Sequence, residues 1–318
     1  GGRDAHLLLP LARMPEQGAG TPVQAELAGL AGGHSGADIH RQRGNALKLL
    51  AAILAAWAAE EPDAFSLVDF AGGSVRNAIP ARATALLLCR DSGAGAARLA
   101  AGLDRLRNFL PPEERTQARL SCSTPAHAGN PPLTTAARDR FLTLLGVLPH
   151  GVCRTSTECD GVVETSSNLA IVETAAAAAR LEVSLRSLLP EGLELIAEQH
   201  LRLAALAGAS CTLTAGYPGW KPDFAAPLVA TARSVYRDCF GTEAAVNVIH
   251  AGLECGVIGE RIPGMRMLSF GPTIRGEHSP AEKLHLPSLD RTWSFLTAFL
   301  TRLAGHPGKK AEADDFFA

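Results

Sequence analysis

Hydrophobic and polar positions along the chain change rhythm repeatedly, and each change marks an element. Residues 21–30 alternate loosely between apolar and polar, which predicts a strand, and the glycine-rich stretch at 32–36 cannot continue it. Residues 45–59 are dense in Ala and Leu and predict a helix. Two apolar runs, 65–70 and 83–89, read as strands on either side of a turn at Gly72-Gly73. An amphipathic stretch at 94–110 predicts a helix, and 118–122 a short strand. The order is β-α-β-β-α-β, the split βαβ or ferredoxin-like pattern.

Residues 131–215 repeat the theme more loosely. A helix over 132–148 precedes strands at 161–172 and 179–186, then a helix at 191–207 and a strand at 210–214. Two such halves could pack into one long sheet. The turn-rich stretch 216–223 closes that region, and after it come a helix at 227–240, strands at 244–249 and 265–270, and a helix at 289–304. The tail 305–318 is rich in Lys and Asp and reads as frayed. The start is abrupt: without an initiator Met the chain runs straight into the apolar stretch 7–12, so it reads as a fragment.

Composition narrows the class. With 318 residues, 47% hydrophobic and 19% charged, the chain can bury full-sized cores. A net charge of −2, with no basic stripe interleaved with aromatics, argues against nucleic acid and anionic membrane as partners. The longest apolar stretch, 46–59, is interrupted by Lys48 and too short to span a bilayer. Seven cysteines without a C-x-x-C pair suit a reducing, cytoplasmic compartment.

Candidate chemistry gathers in loops. The stretches 247–256 and 269–282 hold His250, Glu254, Cys255 and His278 among glycines and prolines, each just after an expected strand end, where open α/β sheets bind ligands. Gly32-Gly33-His34-Ser35-Gly36 puts an imidazole between a strand and a helix start, where loop N–H groups can also face an anion. A capping loop with an incidental histidine weighs equally there. Arg76 and Asn77 stand shortly before Pro80, which enforces extended backbone, although a plain polar hairpin has the same signature. Arg186 ends a strand alternating through Leu181, Val183 and Leu185; a guanidinium so placed can clamp a carboxylate, and Arg180 on the same strand is its control. His278 with a nearby carboxylate is one or two ligands where a catalytic zinc takes three. No nucleophile elbow, phosphate loop or dinucleotide fingerprint is present.

Taken together, the blocks 32–40, 76–80, 161–168, 217–223, 250–256, and 271–274 with His278-Ser279-Pro280 resemble the aminoacyl-histidine dipeptidases of the M20 metallopeptidase family, in the same order from residue 1 to about 303. The resemblance implies an α/β protein. Residues 1–215 form a lid of two ferredoxin-like β-α-β-β halves, about 15–125 and 126–215, and 216–318 are the C-terminal part of a zinc-peptidase catalytic domain. It implies a zinc-dependent, cytoplasmic dipeptidase acting on Xaa-His and related dipeptides. His34 is its catalytic residue in the lid, Asn77, Arg186 and Gly252 contact the dipeptide, and His278 ligates metal. The intact family enzyme holds two zinc ions, of whose ligands at most one is found here. The others belong to an N-terminal half of the catalytic domain that this sequence lacks, so the chain is expected to be inactive alone. The alternatives are another M20 amidohydrolase, such as an acylamino-acid deacylase, or a dipeptide-binding module without chemistry. Oligomeric state is left open.

Overall fold

The computed structural model describes residues 1–15, 19–126, 129–157, 160–220, 223–248, 252–275 and 282–305. Strand β1 (Gly2–Pro10) opens the fold. It is followed by β2 (Thr21–Ala28), β3 (Gly33–His34), α1 (Ala46–Glu60), β4 (Phe65–Gly72), β5 (Ala78–Ile79), β6 (Ala83–Cys89), α2 (Ser92–Leu106), the single turn α3 (Pro112–Arg115) and β7 (Arg119–Ser123). A second run supplies α4 (Thr135–Val147), β8 (Gly151–Thr155), β9 (Val163–Thr174), β10 (Ala178–Ser187), α5 (Pro190–Leu206) and β11 (Ser210–Leu213).

Nine of these strands make one sheet in the order β11-β1-β10-β9-β4-β6-β2-β7, with β8 also paired to β9. Every pairing is antiparallel. The path β4-β6-β2-β7 is one ferredoxin-like arrangement, and β9-β10-β1-β11 is the same arrangement again, joined to the first through β4 and β9. The join is short: only Ala71 with Glu173 and Gly72 with Val172 pair across it. Residues 2–10, which sequence patterning left without an element, are the first strand of the later arrangement. The earlier one is therefore inserted between β1 and α4.

The alternation of side chains explains the layering. On β1, Ala5, Leu7 and Leu9 point to one face and are buried, as are Leu181, Val183 and Leu185 on β10 and Val23, Ala25 and Leu27 on β2. Helices α1, α2, α4 and α5 cover that face and share one continuous core with it, including Leu50, Trp57, Leu99, Phe141 and Ile196. Asn45 caps α1 by accepting from the N–H groups of Leu47 and Lys48, and Asp91 caps α2 in the same way. The opposite face of β1, β9 and β10 carries polar residues, and the two-stranded ladder of β3 with β5 is separate from the main sheet.

The chain divides into two compact units: residues 1–219 with 249–256, and residues 220–248 with 257–318. The smaller unit is built on α6 (Pro227–Phe240) and α8 (Leu286–Ala304), with Ala232, Val235, Phe295 and Phe299 as its core. Phe295 stacks on Phe299 and meets Tyr236 and Phe270 edge-on. A helix α7 (Glu254–Arg261) and a ladder of β12 (Ile274–Arg275) with β13 (Lys283–Leu284) complete the described elements. The strands expected at 244–249 and 265–270 are not found: the described residues 244–248 and 265–270 are irregular. An apolar run becomes a strand only beside a partner edge, and the ladder found in that unit is two residues long.

Candidate functional site

The polar face of β1, β9 and β10 is where the candidate residues converge. Even-numbered positions of β10 place Glu182, Ser184 and Arg186 on that face, and the register sets Asn168 opposite Ser184, Ser166 opposite Arg186, Asp4 opposite Ser184 from the other side and Gly2 opposite Arg186. Asp4, Ser166, Asn168, Ser184 and Arg186 are all buried. A sheet face that is both buried and polar is costly unless its groups are paired or used.

Arg186 is held but not neutralised. It is 7% exposed; its Nη1 donates to the Tyr217 hydroxyl at 2.9 Å, and its Nε has no hydrogen-bond partner. Among the described residues no carboxylate pairs with it. Tyr217 is fixed through its backbone, which exchanges hydrogen bonds of 3.0 and 2.8 Å with Gly2. The ring fits because two neighbours lack side chains: a Cβ on Gly2 would sit 2.6 Å from the Tyr217 hydroxyl, and one on Gly252 would sit 2.7 Å from its Cε2. Gly252 thus adjoins Tyr217, and through it Arg186.

His34 and Asn77 are brought together by the small ladder. Gly33 pairs with Ile79 and His34 with Ala78, and the Ser35 N–H donates to the Asn77 carbonyl at 2.7 Å. The His34 loop spends its own N–H groups internally. Gly36 and Ala37 donate to His34 Nδ1 at 3.2 and 3.0 Å, His34 N–H donates to Asp38 Oδ2 at 2.9 Å, and Asp38 N–H returns to the His34 carbonyl. These bonds argue against the loop as an anion cradle. They also settle the tautomer: with Nδ1 accepting twice, the neutral ring carries its proton on Nε2. Gly32 and Gly33 have φ of +62° and +127°, and a Cβ on Gly33 would meet the Arg43 guanidinium at 2.2 Å, so only glycine fits there. Arg43 braces the loop through Asp38 and the Gly32 carbonyl.

Asn77 itself is exposed, at the tip of a hairpin that is anchored from below. Asn168 Nδ2 donates to the Ala78 carbonyl at 2.8 Å and reaches the Arg76 carbonyl at 3.5 Å, and Arg76 pairs with Asp4 at 2.7 Å. Sequence reasoning assigned no role to Asp4, Asn168 or Tyr217. The strict alternation of β10 was the available signal for that face; β9, with five polar residues in succession from 164 to 168, offers no such reading. An open cleft of about 600 Å³ behind the hairpin, lined by Gly32, Gly73, Val75, Ile79 and Arg82, contains none of these side chains.

The singly occurring histidines divide as their surroundings dictate. His200 is fully buried against the Ile196 carbonyl and Ser167. His150, packed beside Asn45 and Lys48, has its pKa pushed down to about 4 by burial and then by the Lys48 charge. Both are structural. His278 and His250 lie outside the described residues. Among the described residues no group of three or more His, Cys, Asp or Glu side chains could hold a metal ion; those residues do not by themselves fit a zinc site. No described helix is long and apolar enough to cross a membrane.

Comparison with known proteins supplies the class. Residues 25–113 match the peptidase dimerisation domain of the M20 type. The chain is 38% identical over 279 residues to the cytosol non-specific dipeptidase of Escherichia coli (strain K12), covering 87% of this chain and 57% of the relative. Its structure superposes with a TM-score of 0.84 on the crystal structure of aminoacylhistidine dipeptidase from Vibrio alginolyticus, at 36% identity, covering 95% of this chain and 61% of that one. Residues 25–113 are thus similar to an M20 peptidase dimerisation domain. Over most of its own length the chain is similar to these two dipeptidases, while spanning about three-fifths of their lengths.

Proposed function

We propose that the protein is a zinc-dependent, cytoplasmic dipeptidase that hydrolyses Xaa-His and related dipeptides, with residues 1–215 as a substrate-gripping lid and 216–318 as part of the catalytic domain. The observation that carries this reading is the Arg186 guanidinium: buried, hydrogen-bonded to a neutral phenol, bare at Nε, and without a carboxylate partner among the described residues. A buried cation in that state is expensive until an anion arrives, and the free carboxylate of a dipeptide is an anion with the matching two-oxygen geometry. Asn77, exposed on the hairpin, is the second candidate contact for that carboxylate. His34, with its proton on Nε2, is a donor suited to a carbonyl oxygen as negative charge develops on it. Gly252 leaves room for the Tyr217 ring, whose hydroxyl Arg186 bonds. His278 is the candidate zinc ligand of this chain. The match to a dimerisation domain points to self-association, which sedimentation would read.

The test is hydrolysis of glycyl-histidine and β-alanyl-histidine by the complete gene product. Cleavage should be lost on chelation and restored by Zn²⁺, and His34→Ala should lower kcat by about 100-fold. Cleavage that survives chelation would refute the zinc reading. Dipeptide binding with no cleavage under any metal would favour the non-catalytic module instead.

A further inference from the structure

We propose that Asn168 is the positioning residue of this site: a buried side chain that sets the hairpin bearing Asn77 and, through it, the loop bearing His34. The inference rests on the functional reading above but is carried by different atoms. In an antiparallel ladder, directly opposed residues alternate between pairs that exchange hydrogen bonds and pairs that do not. The Ser35 N–H donates to the Asn77 carbonyl, so 35 and 77 are a bonded pair and His34 with Ala78 is an unbonded one. The carbonyl of Ala78, and that of Arg76 two residues earlier, therefore turn away from the His34 loop. Both face Asn168, whose Nδ2 lies 2.8 Å from the Ala78 oxygen and 3.5 Å from the Arg76 oxygen.

The peptide bonds on either side of Asn77 are thus clamped from the sheet, and Asn77 hands the constraint to Ser35 and His34. Asn168 is suited to this because it cannot move: it is 1% exposed, in the middle of β9, with Ser184 opposite on β10. Committing Nδ2 to the hairpin fixes the amide orientation and leaves Oδ1 buried without a partner. An unpartnered buried acceptor is destabilising, so the arrangement is not one that stability alone would favour. Asp4, pairing with Arg76 from β1, is a second and more exposed tether of the same hairpin.

The test uses Asn168→Asp, which keeps the shape but replaces the donor by an acceptor, with Asn168→Ala beside it. Phe141→Leu, a core change on α4 on the helix-covered side of the sheet, serves as a control for lost stability. Two readouts are taken on the complete gene product: hydrogen exchange across 33–38 and 74–80, and kcat and KM for glycyl-histidine. Asn168→Asp should speed exchange at the Ser35 amide by about ten-fold and lower kcat/KM by about 100-fold, whereas Phe141→Leu should lower Tm without either effect. Unchanged exchange in Asn168→Asp would overturn the proposal, and so would faster exchange with kcat/KM intact. If the unmodified protein cleaves no dipeptide, the functional reading fails on its own, and exchange alone decides whether Asn168 sets the hairpin.

Discussion

Arg180 and Arg186 leave the same face of the same strand and meet different fates. The Arg180 side chain is 62% exposed and pairs with Glu182; Arg186 is 7% exposed and pairs with no carboxylate among the described residues. A surface pair of the first kind contributes at most about 1 kcal/mol, whereas the second is a charge kept dry at a cost, which is why it marks a site. His150 shows the opposite use of burial. Its pKa is depressed to about 4, so between that value and the 6.5 of an exposed histidine the unfolded chain binds the extra proton and the native state does not. The His150 contribution to stability should therefore be complete above pH 6.5, fall as pH drops toward 4 by up to about 3 kcal/mol, and level off below. Urea titrations from pH 4 to 7 check this: His150→Gln should reduce the slope, and the buried His200, whose pKa is also lowered by desolvation, should keep the remainder.

At the scale of elements, strands whose two faces differ were the readable ones. On β10 apolar and polar residues alternate from 179 to 186, so the order of residues alone marks both the strand and the prominence of Arg186. On β9, Ser166 and Asn168 go to the polar face while Thr165 and Ser167 go to the helix side, where Ser167 bonds the Pro149 carbonyl and His200. Five polar residues in a row conceal that division, so Asn168 could not be singled out for what it holds. On β1 the successive leucines 7–9 hide the alternation, with Leu8 half exposed, and its partners β10 and β11 lie more than 160 residues away. Arg13, just beyond β1, shows what fastens the two arrangements. Its guanidinium donates to the carbonyls of Val68, Pro131, Ala175 and Ala176 and pairs with Asp69. These groups belong to β4, to the segment before α4 and to the turn between β9 and β10, where the strand-to-strand join is only two residue pairs long. Arg13→Ala should cost about 3 kcal/mol in urea denaturation, with a larger loss of exchange protection at the β4–β9 join than at either sheet edge.

At the scale of the whole molecule, the repeat was visible in the order of elements, but its threading was not. Nothing local in residues 2–10 says that they complete an arrangement resumed after residue 134; that is a property of long-range pairing. The same threading makes the site, because it brings Asp4 from β1, Arg186 from β10 and Asn168 from β9 onto one polar face under a hairpin from the inserted arrangement. Residues separated by more than 180 positions thus share one face, and the account stands or falls on a dipeptide's carboxylate being read there by Arg186. The decisive measurement compares glycyl-histidine with glycyl-histidinamide, which lacks the carboxylate, in the complete gene product and in Arg186→Ala. The unmodified protein should prefer the acid by about 100-fold in kcat/KM, and Arg186→Ala should process acid and amide alike. A variant that keeps the full preference for the acid would contradict the account.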